Sequence, residues 1–268
     1  MTSIIHSFLH TTEQPVIERP LMHSHDNYEI YCFLSGDINY LVEGKYYHLK
    51  KGDIMVMRKG ELHINSILSN IPYKRITVNF EITDLLNDTG NLGLLDLFHD
   101  RELGEYNHYC AHDFPNNHWF QYLSAICNSQ NTSEKICYLL PLLCDLNKCF
   151  ISLKTMTLDH EANIPMQICK YINSNLSQNL SLEVLSKKFH ISKTHLNRIF
   201  RASLGTTVGQ YIKIKRLFWA KELLQKGESP MEVYFTCGFN DYTTFYRSFK
   251  KQFSLSPKEI SPSFRITS

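Results

Sequence analysis

Residues 181–201, SLEVLSKKFHISKTHLNRIFR, leave the chain little choice of local fold. Leu182, Leu185 and Phe189 recur at helical spacing, which predicts a short amphipathic helix. Ser181 stands at the N-cap, and Glu183 follows in the first turn, where a carboxylate suits the helix dipole. His190-Ile191 breaks the pattern. Ser192 then caps a second helix, KTHLNRIFR, with Leu196, Ile199 and Phe200 facing inward. Thr194, His195, Asn197, Arg198 and Arg201 are left outside, residue types that contact base edges and phosphates. The pattern predicts a helix-turn-helix whose second helix enters a major groove. A solvated amphipathic helix pair has the same periodicity, so the motif needs support from elsewhere.

Charge supplies some. Residues 162–268 hold 16 Lys+Arg and 6 Asp+Glu, a balance of +10, while residues 1–161 hold 12 and 20, a balance of −8. A basic second half fits a polyanionic partner; the acidic first half need not touch phosphate. The opening MTSIIHSFLH has no basic start or unbroken apolar core, so no signal peptide is expected. No apolar run approaches the roughly 20 residues of a membrane span, so no membrane partner is expected. The eight cysteines lack CxxC spacing and read as reduced thiols of a cytoplasmic protein.

Between residues 21 and 81 the chain reads as successive short strands. YEIYCFL, DINYLV, YYHL and IMVM are rich in β-branched and aromatic residues, with turn signals at Ser35-Gly36-Asp37, Glu43-Gly44-Lys45 and Lys51-Gly52-Asp53. RITVNFE alternates, with Ile76, Val78 and Phe80 on one face. Many short antiparallel strands predict a small barrel or jelly roll. Within it lies HSHDNYE. Taken as a strand, it turns His23, His25 and Glu29 to one side. Together with Gly36 these match the cupin pattern H-x-H-x3-E-x6-G. Gly52, Gly60 and His63 match its second motif, with Arg58 in place of the usual proline and Ile67 in place of the usual asparagine. In cupin enzymes the matching three histidines and glutamate bind a metal. A regulatory cupin keeps them to line a polar pocket, and that reading is preferred: effector pocket His23, His25, Glu29 and His63, no metal, no cofactor, no catalytic residues.

Residues 83–160 change character. LLNDTGNLGLLDLFHD and NNHWFQYLSAICNS look helical. SEKICYLLPLLCDLNKCFISLK sets Ile136, Leu139, Leu140, Leu143 and Leu146 on one stripe, with Pro141 expected to kink the helix. Such a stripe packs on the barrel or pairs with its copy in a second subunit; dimerisation is preferred.

Pro165 opens the next helix, PMQICKYINSNL. After the helix pair, Gly205 is a C-cap candidate, and a long helix runs from about Val208 to Lys226 with Tyr211, Ile212, Leu217, Ala220, Leu223 and Leu224 inward. A second, similar pair follows in VYFTCGFNDYTTFYRSFKKQF, broken at Gly238. Phe245 and Phe249 face inward and Thr243, Thr244, Arg247 and Lys250 outward.

Here a family resemblance becomes specific. R-L-x2-A-x-E-L-L from Arg216, C-G-F at Cys237, Y-R-S-F-K-K-x-F and Ser256-Pro257 resemble the AraC/XylS family of bacterial transcription regulators over about residues 162–265. An acidic cupin ahead of this domain is an arrangement known in the family. RPLMHSHDNYEIYCFLSG resembles sensor domains on regulators of carbohydrate genes. Pro230, Tyr234 and Ser254 depart from the family's usual Ile, Ala and Gly, and a bulky Tyr234 is expected to shift the second pair.

The resulting expectation is an α+β multidomain chain: a cupin-like sensor barrel over 1–82, a helical dimerisation segment over 83–154, a linker over 155–163, and an all-α domain with two helix-turn-helix units over 164–268. The resemblance implies base-reading positions at Thr194, Asn197, Arg198, Thr243, Thr244 and Arg247. His195 shares that outer face, while Lys193, Arg201, Lys250 and Lys251 suit phosphates. The connecting helix, at about 18 residues, spans roughly 27 Å, which allows one monomer to enter successive major grooves. The implied function is a sequence-specific, non-enzymatic DNA-binding activator. Its expected partners are double-stranded DNA, a small-molecule effector (a carbohydrate among the candidates), RNA polymerase and a second copy of itself. The competing readings are a metal-dependent cupin enzyme fused to a DNA-binding domain, and a constitutive DNA-binding protein whose cupin only dimerises.

Overall fold

The computed structural model describes residues 5–17, 23–81, 93–114, 118–156 and 164–260. The chain divides into two compact units, Met1–Ala162 and Asn163–Ser268. The linker expected over 155–163 lies almost wholly outside the described residues, as does the first half of the helix expected over 85–100; of the second half, Asp96–His99 is helical.

The first unit is built on β1 (Ile5–Thr12), β2 (Tyr28–Ser35), β3 (Ile38–Val42), β4 (Lys45–His48), β5 (Ile54–Met57), β6 (His63–Ile67), β7 (Tyr73–Phe80) and β8 (His108–Tyr109). They form two antiparallel sheets, one ordered β1-β7-β2-β5-β8 and one ordered β4-β3-β6. Strand alternation sorts each side chain to one of two cores. Tyr31, Phe33, Met55, Met57 and Tyr73 of the larger sheet meet Ile38, Tyr40 and Val42 of the smaller one. Tyr28, Ile30, Cys32, Ile76, Val78 and Phe80 face the other way, toward helices.

Those helices are α1 (Asp96–His99), α2 (His118–Asn128) and α3 (Thr132–Met156). The expected leucine stripe of α3 is used inside the unit. Leu139, Leu142, Leu143, Leu146 and Phe150 are buried in one cluster with the outer face of the larger sheet, and Ile136 and Leu140 pack at its margin. Each such leucine contributes about 1.5–3 kcal/mol by burial. The stripe therefore packs on the barrel and does not stand open as a seam for a second copy. The helix runs unbroken across Pro141. Thr132–Thr155 also reaches membrane-spanning length, with a mean hydropathy of 1.5, contrary to the expectation that no segment would. Its buried leucines make it in part a core helix of this unit, with 39% of the apolar window buried. The segment over 83–154 is not purely helical either, because β8 adds to the edge of the larger sheet beside β5.

The second unit is helical: α4 (Ile164–Ser174), α5 (Leu182–Phe189), α6 (Lys193–Leu204), α7 (Val208–Gln225), α8 (Pro230–Thr236), α9 (Tyr242–Phe253) and α10 (Pro257–Ile260). The expected caps form. Ser181 accepts from the Val184 N–H, Ser192 accepts from the His195 N–H, and Gly205 ends α6 in the left-handed conformation. The turn between α5 and α6 is made by His190, which adopts φ 54°. α8 and α9 form a second pair of the same build. α7 lies between the pairs and is buried on several sides, at Tyr211, Ile214, Leu217, Phe218 and Leu224 among others.

The departures in the second pair are accommodated. Pro230 occupies the first turn of α8 behind the Ser229 cap, where a missing N–H costs nothing. Tyr234 is half-buried, edge-on to Tyr242 with ring centroids 5.6 Å apart, and joins the aromatic core around Phe245. Ser254, standing for glycine, adopts φ 59°.

Candidate effector pocket and DNA-reading helices

Glu29 shares the inward side of β2 with Tyr31 and Phe33 and is 7% exposed. His23 and His25 reach the same place by a route that period-2 counting does not describe. No strand runs through them. His23 makes an isolated antiparallel bridge to His63, with backbone hydrogen bonds of 3.1 and 3.0 Å in the two directions. The chain then bends at Asp26-Asn27 before β2 begins. The expected convergence still occurs. Ring centroids of His23 and His25 lie 4.5 and 4.9 Å from that of His63, and one ligand atom of each histidine lies within 4.8 Å of the others.

The site is electrostatically divided. His25 Nε2 donates to Glu29 Oε2 at 2.9 Å and Nδ1 faces the Asn27 carbonyl at 3.2 Å. Two oxygen acceptors, one per nitrogen, suit an imidazolium. Burial lowers the His25 pKa, but the hydrogen bond and charge of Glu29 outweigh it and the net shift is upward. Burial would raise the Glu29 pKa, yet the His25 hydrogen bond and the field of the three histidines bring it down to about 2. His63 behaves oppositely. Burial, reinforced by His23 and His25 against the pull of Glu29, lowers its pKa to about 4. Its Nδ1 faces the Glu61 carbonyl at 2.8 Å, and its buried Nε2 has no hydrogen-bond partner among the described residues.

Residues not foreseen for the site complete its walls. The Tyr40 ring stacks on His63 at 6.0 Å, and its hydroxyl donates to Glu29 Oε1 at 3.3 Å. The Tyr73 hydroxyl pairs with that of Tyr31 at 2.6 Å and accepts from Asn65 at 2.8 Å and Arg75 at 2.9 Å. The sequence contained a signal for two of them. If Ile76, Val78 and Phe80 face one way along β7, Tyr73 and Arg75 face the other. Beneath the pocket, Glu61 and Arg101 form a fully buried bidentate pair, with Asn107 and the Gly104 N–H also donating to Glu61. Arg58, in the usual proline position, donates to the carbonyls of Phe98 and Arg101. Ile67, in the asparagine position, packs against the core between the sheets.

In the second unit the outer face of α6 presents Lys193, Thr194, His195, Arg198 and Arg201, all exposed. Asn197 differs. It is half-buried, and its Oδ1 accepts from the Val208 N–H at 3.3 Å at the start of α7. Arg198 lies 3.3 Å from His195 Nε2. On α9, Thr243, Thr244, Arg247, Lys250 and Lys251 are exposed. Asp241 caps that helix by accepting from the Thr244 N–H at 2.7 Å.

A cluster of three histidines, a carboxylate and a tyrosine set in a β-domain, carried on one chain with a capped helix-turn-helix unit, is the arrangement of a ligand-binding domain joined to a DNA-binding domain. Residues 6–99 match the model of the AraC-like ligand binding domain, and residues 185–261 match that of a helix-turn-helix domain. The probable transcription factor PqrA of Proteus vulgaris is 35% identical over 101 residues, covering 37% of this chain and 83% of that protein. The lactose operon transcription activator of Staphylococcus xylosus is 23% identical over 247 residues, covering 88% of this chain and 84% of that protein. The solved structure of ToxT from Vibrio cholerae aligns over 95% of this chain and 97% of its own, at 13% identity and a TM-score of 0.43. The chain belongs to the AraC family of transcription regulators, with a ligand-binding N-terminal domain and a helix-turn-helix DNA-binding domain.

Proposed function

We propose that this regulator is a cytoplasmic, non-enzymatic activator whose barrel binds a small polyhydroxylated effector, a carbohydrate, between Glu29, His23, His25, His63 and the Tyr40 ring. One observation carries this reading. The buried Nε2 of His63 lacks a partner among the described residues, in a cluster of tyrosines, a carboxylate and an arginine. Sugar hydroxyls both donate and accept, so they satisfy such a mixed set. The Staphylococcus relative is a lactose operon activator, which agrees with the same effector class. To regulate, the effector must bind two protein states unequally.

Arg198 and Arg247 would read base edges, together with Thr194, Thr243 and Thr244. Lys193, His195, Arg201, Lys250 and Lys251 would hold phosphates and neighbouring groups. Asn197 contributes less, because its carbonyl oxygen is engaged with α7. Homodimerisation and contact with RNA polymerase complete the reading, supported by the family alone. The test measures operator affinity across a panel of mono- and disaccharides, with operators first mapped genome-wide. A sugar should change affinity in the wild type and do so less in His25→Ala. No sugar having any effect would overturn the effector reading.

A second reading has its own observation. Three imidazole ligand atoms within 4.8 Å, beside Glu29, make a donor set that fits a transition metal. His23, His25, His63 and Glu29 would hold it, and the metal would supply Lewis acidity. Metal analysis of the purified protein separates the readings, since a stoichiometric metal lost in His63→Ala would favour this one.

A further inference from the structure

A second group of metal-type donors comes together away from the histidine pocket, where β8 meets the turn before β5. Asp53, His108 and Cys110 each offer one ligand atom, and these atoms all lie within 4.8 Å of one another. Cys110, His112 and Asp113 form an overlapping triad by the same measure. Four of the five residues come from one short run, HYCAHD, while Asp53 arrives from more than fifty positions earlier.

The fold holds these two pieces of chain in register. His108 pairs with Met55 and Tyr109 with Ile54 across the β5–β8 ladder. The Asp53 carboxylate contacts His108 Nε2 at 2.8 Å and accepts from the Ala111 N–H at 3.3 Å. Both groups of that contact are donors of the same set, so a bound cation would take its place between them. Asp113 Oδ2 accepts from the Cys110 N–H at 2.8 Å, which fixes the turn that carries the thiol. The backbone at Gly52 approaches so closely that a Cβ there would stand 2.8 Å from the Ala111 Cβ. The Asp53 side chain is 5% exposed and that of His108 21%, whereas His112 lies open at 84%.

We propose that Asp53, His108 and Cys110 form a binding site for a zinc-type divalent cation, with His112 or Asp113 closing the fourth position. The donor chemistry selects the ion class. Sulfur, nitrogen and oxygen together suit zinc and its borderline neighbours, whereas magnesium and calcium require oxygen. In a tetrahedral site with bonds of about 2.0–2.3 Å, donors stand roughly 3.3–3.8 Å apart, so a spacing of 4.8 Å closes by small side-chain rotations. Two carboxylates, and a thiol that gives up its proton when the metal binds, supply the negative charge that a divalent ion neutralises. The bound ion would pin the short edge strand β8 and the turn after it to the turn before β5. The His23, His25 and His63 group contains no sulfur, which makes the two sites spectroscopically distinct.

The test uses the full chain, freed of metal by a chelator and titrated with Co²⁺ as a probe for zinc. A thiolate-to-cobalt charge-transfer band should appear, vanish in Cys110→Ser and persist in His63→Ala. Independently of any substitution, Zn²⁺ should displace the band and slow alkylation of Cys110 by iodoacetamide several-fold, read by peptide mass spectrometry. The proposal falls if no thiolate band forms, if the band persists in Cys110→Ser, or if Cys110 alkylates equally fast with and without Zn²⁺.

Discussion

The Arg216 side chain donates from Nη1 to the carbonyl of Gly238 at 2.6 Å, joining the connecting helix α7 to the turn of the second helix pair. The same guanidinium donates to the carbonyls of Leu176 at 3.0 Å and Gln178 at 2.7 Å, in the segment that leads into the first pair. One side chain thus ties both helix pairs to their connector. Hydrogen bonds from a charged donor are worth about 1.5–3 kcal/mol each in such settings. Arg216→Ala should therefore lower the thermal midpoint of the second unit and weaken binding to a two-half-site operator far more than to either half-site alone. Equal losses on all three DNAs would show that the guanidinium stabilises without setting spacing. Gly238→Ala should mimic it, because the added Cβ would sit 2.7 Å from Arg216 Cζ on a backbone at φ +76°.

His63 makes the first unit acid-sensitive. Its folded pKa of about 4 lies below the ordinary value of 6.5, so the unfolded chain takes up its proton first as pH falls. Stability should then drop by about 2 kcal/mol between pH 7 and pH 5 from this group. Glu29, His23, His25 and the Tyr40 ring surround it. His25, shifted upward, acts in the opposite direction: its contribution is full below its unfolded pKa and fades as pH rises through the folded one. Chemical denaturation of wild type and His63→Gln at both pH values checks this. An unchanged pH slope in His63→Gln would remove His63 as the cause.

Glu61 and Arg101 are each fully buried as side chains. Arg101→Ala leaves the carboxylate uncompensated and should cost about 3–5 kcal/mol. Arg101→Met with Glu61→Leu should recover much of that loss in denaturant melts. A double variant as unstable as the single one would mean that the polar network itself is required.

Arg198→Ala should cost about 1–3 kcal/mol on the specific site and relax preference at one half-site, and Arg247→Ala should act comparably on the other. Lys250→Ala should weaken specific and non-specific DNA alike. Selection on randomised operators reads all three. If both arginine variants alter preference at the same base pairs, two-groove recognition is wrong.

Ser254 holds a left-handed conformation that costs an L-residue about 1–2 kcal/mol. Ser254→Gly should raise stability by about 0.5–1 kcal/mol after the greater freedom of unfolded glycine is subtracted. A lower thermal midpoint in the variant would contradict this.

Local pattern was enough to place most of the second unit's helices and turns. Ser181, Ser192, Gly205 and the apolar spacing of Leu185, Leu196 and Phe200 specify helices and turns from within a few residues, because capping and helical periodicity are short-range effects. The strands YEIYCFL and RITVNFE were legible for the same reason. The pocket was legible only as a set of residue types. His23 and His25 converge on His63 through a bridge between chain segments forty positions apart, not through a shared strand. The opposite protonation behaviour of His25 and His63 arises from burial and from which acceptor each ring meets. The leucine stripe of α3 was equally suited to a sheet or to a second copy, and packing against β2 and β7 made the choice. The engagement of Asn197 with Val208, the three-carbonyl grip of Arg216 and the meeting of Asp53 with Cys110 are all long-range contacts. No periodicity encodes them, since they exist only once burial has brought distant backbone together.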